Sequence, residues 1–222
     1  MRFWNWAREG DTAVMRIDGP IADDLIWGDE VTASMFRMEL EKHPGDIIVY
    51  INSPGGSVTA ASQIYSMLKE RKGKSTARIE SIAASAASVV AMGCSRIEMA
   101  RSAYMMIHNA SSIALGDHRE MEHAGDVLKE IDSGIADVYA ERTGIDRDEI
   151  ARMMAEETWM SAATAVEKGF ADGIMGEAPY EPDEEDPEEE YEEDPVKKPD
   201  PEEEDPEEEK TQRARARLRA LL

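Results

Sequence analysis

Cysteine is nearly absent from this sequence. The 222 residues include one, Cys94, so no disulfide can form within the chain, and we expect a reducing compartment. The residues before it, Ala91, Met92 and Gly93, are small or apolar and offer no second metal ligand. We therefore predict that Cys94 is a small, buried hydrophobic side chain.

Long apolar runs are absent as well. No window approaches the roughly 18 consecutive apolar residues of a membrane-spanning helix. The first nine residues become charged before the apolar segment of a secretion signal can develop. We therefore expect a cytoplasmic protein with no membrane partner.

Positive charge is scarce and unevenly placed. The chain has 48 Asp and Glu residues against 25 Lys and Arg, which gives a formal net charge of −23. An acidic surface repels phosphate groups, and this argues against nucleic acid as a partner. Most of the excess lies in residues 181–210, which hold 19 acidic residues and three lysines among repeated prolines. Such a segment cannot bury enough apolar area to offset its chain entropy.

These shifts in composition predict three parts. Residues 1–178 form one folded domain, residues 179–210 a disordered acidic linker rich in Pro, Glu and Asp, and residues 211–222 a short basic amphipathic segment. A dozen residues are only marginally helical in water, so a partner surface is needed to order the last part.

Strands and helices alternate along the folded part. Residues 47–51 are apolar and mostly β-branched, as in a parallel strand buried on both faces. The full pattern predicts strands at 13–17, 47–51, 75–80, 96–99 and 103–107, and helices at 28–42, at 58–72, in the Ala/Ser stretch up to Met92, and at 117–142, 146–155 and 161–169. This alternation predicts an α/β domain with a mostly parallel sheet.

The stretch SIAASAAS at 81–88 offers three serines where a strand gives way to a helix. A serine becomes a nucleophile when a neighbouring base takes its proton and N–H donors receive the oxyanion. His108 ends the apolar strand YMMI, and the turn Pro54-Gly55-Gly56 has backbone N–H groups for an oxyanion hole. The competing interpretations are structural, because alanine and serine runs also pack helices tightly and strand histidines are often buried and satisfied by backbone.

A carboxylate that orients the histidine is the third expected member of such a site. Glu156 and Glu157 precede Thr158, and Asp172 follows Phe170-Ala171. Spacing alone does not choose among the three. In a chain this acidic, each one also fits an ordinary surface charge.

Four ordered blocks, INSPGGSVTAA, AASAAS, MMIHN and ETWMSAATAVEKGFADGI, resemble the Clp protease proteolytic subunit (ClpP) family of serine peptidases, and especially its phage-associated head maturation (prohead protease) branch. The resemblance runs from Val14 to Ile174. It implies an α/β fold of the ClpP/crotonase-like type, a spiral of ββα units with a mostly parallel sheet and a protruding long helix. It implies neither a metal nor an organic cofactor.

The resemblance also implies a catalytic set. Its nucleophile, base, acid and two oxyanion-hole amides correspond to Ser85, His108, Glu157, Gly56 and Ala86, respectively. Ser88, one turn beyond the nucleophile, is expected to pack inward. Glu157 stands where housekeeping members have Asp, and it remains a carboxylate able to orient His108.

By this resemblance, the chain is a serine endopeptidase that cleaves polypeptides in homo-oligomeric, stacked rings. We favour phage capsid maturation in an infected host cytoplasm, with the acidic tail binding a capsid or scaffold protein. About a dozen residues precede the first strand, fewer than the axial loops through which housekeeping subunits meet their AAA+ unfoldase. This argues against dependence on an ATPase.

Four alternatives stand beside this interpretation. The nearest is a housekeeping-type ClpP degradative subunit. A crotonase-type acyl-CoA hydratase or isomerase uses the same spiral fold and a two-amide oxyanion hole without a catalytic triad. A serine–lysine signal peptide peptidase is weaker, because no membrane anchor is present in the sequence. The last is a structural element that has no catalytic role.

Overall fold

An eight-stranded, mostly parallel sheet organises the described part of the chain. The computed structural model describes residues 12–25 and 28–177 and the backbone of residues 7–9, all within one compact unit, Met1–Glu181. The strands are β1 Ala7–Glu9, β2 Thr12–Asp18, β3 Ile21–Ala22, β4 Val31–Thr32, β5 Ile47–Ser53, β6 Ser75–Ala84, β7 Arg96–Met99, β8 Tyr104–Ile107, β9 Thr158–Ser161 and β10 Gly173–Ile174. The helices are α1 Ala33–Leu40, α2 Val58–Glu70, α3 Ala86–Met92, α4 His118–Thr143, α5 Arg147–Ala155 and α6 Ala162–Glu167.

The sheet runs in the order β1-β2-β5-β6-β7-β10, with β8 paired to the far end of β6 and β9 paired to β8. Its neighbours are parallel except for β1 with β2 and β8 with β9. A separate two-stranded sheet joins β3 and β4 in parallel. The predicted α/β class with a mostly parallel sheet is confirmed.

The core explains why the central strands stay in register. Ile47, Val49 and Ile51, which share one face of β5, are at most 1% exposed, whereas on the opposite face Ile48 is buried, Tyr50 half-buried and Asn52 exposed, so the predicted burial on both faces holds only for the first part of the strand. Burial of each large aliphatic side chain contributes roughly 1.5–3 kcal/mol, and a one-residue slip would alter all of these contacts. The carboxyl ends of β5 and β6 are thereby held side by side, and the Pro-Gly-Gly turn and Ser85 follow directly from them.

Two predicted boundaries are wrong. The first helix begins at Ala33 and not at residue 28, because Val31–Thr32 pairs with Ile21–Ala22 and the Thr32 side chain accepts a hydrogen bond from the Met35 amide. Strand β6 continues to Ala84 through residues that were predicted to be helical. Its last residues pair with β8, and this tertiary pairing outweighs the helix preference of the alanines.

Helix α4 spans 26 residues and matches the prediction of a long polar helix. Asp117 and Glu120 form a capping box at its start, and Gly144 ends it. Its fully buried side chains, Ile135, Ala136 and Tyr139, all lie in the second half. The second half of α4 is therefore the part that packs on the core.

The predicted acidic linker and basic terminal segment, residues 179–222, lie outside the described residues. Within the described ranges, no helix has both the length and the low polarity required to span a membrane.

Candidate active site

Ser85 lies in the sharp junction between β6 and α3, as the sequence predicts. Its φ of 54° falls in the left-handed region, which is strained for a residue other than glycine. The Ser85 amide donates to the Met106 carbonyl at 2.9 Å, and the Ser88 amide donates to the Ser85 carbonyl at 2.9 Å. Hydrogen bonds on both sides therefore hold the strained turn in place.

His108 directly follows β8, the strand that pairs with the end of β6. This pairing brings its Nε2 to 2.8 Å from Ser85 Oγ. The segment after His108 is fixed by two hydrogen bonds, from the Asn109 amide to the Met154 carbonyl and from the Ala110 amide to Asp132. With Nε2 unprotonated, the histidine is placed to accept the serine proton.

The Pro54-Gly55-Gly56 turn packs directly against the serine turn. A Cβ on Gly55 would lie 2.6 Å from the Ala84 carbonyl oxygen and 2.8 Å from Ser85 Cβ, so this close approach requires glycine. Gly56, with φ 142°, is bridged to Ile21, and a Cβ there would overlap the Ile21 carbonyl oxygen.

The amides of Gly56 and Ala86 are candidates for binding an oxyanion. Among the described residues, neither amide N–H has a hydrogen-bond acceptor. Gly55, the residue before Gly56, packs against Ser85, and Ala86 follows Ser85 in sequence. Two unpaired donors near a serine are what an oxyanion hole requires.

No carboxylate among the described residues forms a hydrogen bond with His108. Glu157 is exposed and has a φ of 53°, and its carboxylate accepts a hydrogen bond from Trp159 Nε1 at 3.1 Å. Because Ile107 pairs with Thr158, Glu157 stands next in register opposite His108, but within the described ranges no hydrogen bond joins their side chains. The role of Glu157 stays a prediction.

The other two candidate residues, Asp172 and Glu156, contribute to local structure. Asp172 accepts hydrogen bonds from the Ile97 amide at 2.6 Å and from Arg142. Glu156 is exposed and caps the carboxyl end of α5. Neither is joined to His108 by a hydrogen bond among the described residues.

Ser88 packs inward, as expected, and is fully buried. Its hydroxyl donates to the Ser85 carbonyl at 2.6 Å and lies 2.7 Å from the hydroxyl of Tyr139 on α4. Burial raises the pKa of the Tyr139 phenol, which therefore stays protonated near neutral pH. Tyr139 was not predicted from the sequence, because a tyrosine on the core side of an amphipathic helix has the pattern of an ordinary core residue.

An apolar groove of about 630 Å³ lies between α2 and α4. Its lining includes Val58, Val89 and Ile135, and the same three residues line the small pocket that contains Ser85 and His108. The groove and the serine–histidine pocket therefore lie next to each other and share part of their walls. Its walls are suited to an apolar side chain.

Cys94 is buried, as predicted, and this burial raises the pKa of its thiol to about 12. The group is therefore a thiol and not a reactive thiolate at neutral pH. Within the described residues, no group of three or more His, Cys, Asp and Glu side chains is arranged to hold a metal ion.

Comparison with known proteins assigns a family to this arrangement. The family model described as Clp protease matches residues 9–178. The chain belongs to the Clp protease family. Its enzyme class is thus confirmed as peptidase, within the ClpP-like serine proteases, and the crotonase alternative is set aside.

Curated relatives agree with this assignment at modest identity. ATP-dependent Clp protease proteolytic subunit 1 of Chlamydia trachomatis serovar D is 35% identical over 153 residues, which cover 66% of this chain and 78% of the relative. The protein of the same name from Chlamydia muridarum is 33% identical over 151 residues, with the same coverage. ATP-dependent Clp protease proteolytic subunit of Ligilactobacillus salivarius is 29% identical over 165 residues, covering 73% of this chain and 82% of the relative.

Proposed function

We propose that the chain is a serine endopeptidase whose nucleophile is Ser85 and whose base is His108. The 2.8 Å contact between Ser85 Oγ and His108 Nε2 is the observation that carries this proposal. The strained serine turn and the neighbouring unpaired amides support it, since acyl transfer needs an exposed nucleophile and donors for the oxyanion.

In this mechanism, Ser85 Oγ attacks the scissile carbonyl carbon while His108 Nε2 takes the serine proton. The carbonyl oxygen becomes an oxyanion and is held by the amides of Gly56 and Ala86. Collapse of the tetrahedral intermediate breaks the C–N bond, and His108 gives its proton to the leaving amine. Water then attacks the acyl carbon while His108 takes its proton, and as the bond from that carbon to Ser85 Oγ breaks, His108 gives the proton to Oγ and the free acid leaves.

Glu157 is the proposed carboxylate that stabilises charged His108. Its backbone stands opposite His108 in the continued β8–β9 register, so the approach requires a change of side-chain rotamer and not of strand pairing. The Trp159 hydrogen bond would be given up in that change. A glutamate has one more methylene than an aspartate for this reach.

The proposed substrate is a polypeptide, with an apolar side chain seated in the groove between α2 and α4. The support is that Val58, Val89 and Ile135 line both the groove and the pocket of Ser85 and His108, so the groove lies next to the site of the scissile bond. Burial of an apolar side chain there is favourable at about 25 cal/mol per Å² of apolar surface.

Labelling with a fluorophosphonate tests the nucleophile. We expect the wild-type chain to be labelled at Ser85, and Ser85→Ala and His108→Ala to lose both labelling and cleavage of a fluorogenic peptide. Ser81→Ala is the matched control, because Ser81 is an exposed serine four residues away on β6. Peptide cleavage that survives Ser85→Ala would overturn the proposal.

Within this activity we propose maturation of a phage capsid by a homo-oligomeric ring, in the cytoplasm of an infected host. The support is the resemblance of the AASAAS and ETWM blocks to that branch of the family. Co-expression with a major capsid protein tests it, since Ser85→Ala should leave the capsid protein uncleaved. Equal processing by wild type and Ser85→Ala would favour a scaffold role, and general degradation would favour a housekeeping subunit.

The relatives are named as subunits of an ATP-dependent protease, which makes an AAA+ unfoldase the alternative partner for this chain. We propose that small peptides are cleaved without one. Cleavage of a peptide and of a folded protein, each measured with and without ATP and an unfoldase, separates the two cases.

A further inference from the structure

Two buried hydroxyl groups form a hydrogen-bonded chain that ends at the backbone carbonyl of Ser85. Ser88 Oγ lies 2.6 Å from the Ser85 carbonyl oxygen, and the Tyr139 hydroxyl lies 2.7 Å from Ser88 Oγ. Ser88 and Tyr139 are 0% and 1% exposed. The two contacts are thus shielded from water. In the low dielectric of the protein interior, hydrogen bonds are electrostatically stronger than in water.

The direction of each hydrogen bond follows from which of these groups carries a proton to donate. A carbonyl oxygen can only accept, so the single Ser88 proton is donated to the Ser85 carbonyl. Ser88 Oγ then accepts a hydrogen bond from the Tyr139 hydroxyl, since a phenol is protonated at neutral pH and burial raises the pKa of Tyr139 further. The chain therefore runs from Tyr139 to Ser88 to the Ser85 carbonyl.

The last acceptor belongs to the peptide group whose N–H is the Ala86 amide. The described residues contain no cis peptide bond, so this N–H points away from the Ser85 carbonyl, toward the opposite side of the peptide plane. Donors on the carbonyl fix the plane and hence the direction of the N–H. They also polarise the amide, which makes its N–H a stronger donor.

Tyr139 is itself firmly held. Its ring packs against Phe170 with a centroid distance of 5.7 Å, and its carbonyl accepts a hydrogen bond from Thr143 Oγ1 at 2.8 Å. The tyrosine therefore presents its hydroxyl from the buried part of α4 in a fixed position.

We propose that Tyr139 and Ser88 are positioning residues that aim and polarise the Ala86 amide for the oxyanion. This inference rests on the proposed function, in which the Ala86 amide is one of the two oxyanion donors. It makes the buried half of α4 a determinant of catalytic rate and not only of packing.

Kinetics of Tyr139→Phe, Ser88→Ala and the double variant test the proposal in the full chain. Loss of a whole oxyanion donor lowers kcat by roughly 100- to 1,000-fold, and cooperative strengthening changes one hydrogen bond by roughly 10–30%. We therefore expect Tyr139→Phe to lower kcat by about two- to eightfold with KM unchanged. In the Ser88→Ala background, where the chain is already broken, Tyr139→Phe should have no further effect.

Affinity for a peptide boronate supplies a readout that packing alone would not move. The boronate forms a tetrahedral adduct with Ser85, so its affinity should fall by the same factor as kcat while KM for the peptide holds. Ser75→Ala is the matched control, because Ser75 is a fully buried serine whose hydroxyl contacts Ser95 and not the site, and it should keep the wild-type kcat.

Two outcomes would overturn the inference. One is an equal effect of Tyr139→Phe in the wild-type and Ser88→Ala backgrounds, and the other is a rise in KM with kcat unchanged. Either result leaves the proposed function intact when Ser85 is still labelled by a fluorophosphonate. Failure of that labelling in the wild-type chain would instead remove the proposed function.

Discussion

At the scale of single residues, the serine–histidine pair depends on backbone placement more than on side-chain chemistry. Ser85 holds a φ of 54° because hydrogen bonds to Met106 and from Ser88 fix the turn on both sides. Strain of this kind costs of order 1–3 kcal/mol, which the surrounding core must offset. This backbone conformation places Ser85 Oγ 2.8 Å from His108 Nε2.

Asp23 braces the other side of the same site. Its two carboxylate oxygens accept hydrogen bonds from Ser57 and Thr59, both at 2.7 Å, directly after Gly56. The bonds from Thr59 and Ser57 lower the pKa of Asp23, so the brace is charged at neutral pH. Strand β3 adds a second brace, since Ile21 exchanges hydrogen bonds with Gly55 and Ser57.

We predict that Asp23→Ala lowers kcat for peptide cleavage several-fold, well short of the roughly 100-fold loss of a whole oxyanion donor. The physical reason is a looser Gly56 amide, so KM should change little. Asp23→Asn keeps an acceptor oxygen and should recover most of the rate. The neighbouring exposed Asp24 gives the control Asp24→Ala, and a matching loss there would contradict the prediction.

Some of these residues were predicted from the sequence and others were not. A serine-containing stretch at a strand–helix junction and His108 after an apolar strand are local patterns, and the resemblance to the family selected Ser85 among the three serines. The Ser88–Tyr139 contact spans 51 positions and has no local signature. Glu157 was chosen by resemblance, and no sequence pattern fixes the rotamer that pairs it with Trp159 and not with His108.

At the scale of elements, strand pairing and helix packing assemble the site from distant segments. Pairing of β6 with β8 brings Ser85 and His108 together, and α2 and α4 form the walls of the apolar groove. The parallel strands were predictable from continuous apolar runs. The start of α1 and the end of β6 were not, because tertiary pairing with β3 and β8 decided them.

The groove predicts a selective change in substrate binding. Gly134 on α4 lines the groove, and a Cβ built on it meets nothing within 4 Å, so Gly134→Leu places a side chain there without displacing backbone. We expect a rise in KM of about tenfold for peptides with a large apolar residue at the scissile bond, since filling the groove forfeits roughly 1.4 kcal/mol or more of apolar burial. Reaction with a small fluorophosphonate should be unchanged.

Gly125→Leu is the matched control for that experiment. Gly125 lies on the same helix, has equally open surroundings and is not part of the groove lining. Both substitutions replace a helical glycine, which stabilises the helix by roughly 0.5–1 kcal/mol. The same gain in melting temperature is therefore expected for both variants. Equal KM values for the two variants would sink the assignment of the groove to substrate.

At the scale of the whole molecule, the charge distribution separates a peptidase from an acidic extension. The family match ends at residue 178, and residues 181–210 then carry 19 acidic residues and three lysines. Composition alone predicts this division, because the segment lacks the apolar area that ordering requires.

We predict that deletion of residues 179–222 leaves kcat and KM for a small peptide unchanged and weakens association with a basic capsid or scaffold protein. The association is expected from opposite charges, so in the full-length chain it should also fall as salt shortens the Debye length from about 10 Å at 0.1 M to 3 Å at 1 M. Co-purification of a co-expressed capsid protein at the two salt concentrations measures it. A variant with the acidic residues of 181–210 changed to Asn and Gln distinguishes the effect of charge from that of length. Retained binding by that variant would exclude an electrostatic role for the tail. Loss of peptide cleavage on deletion of residues 179–222 would show that the two parts are not separate.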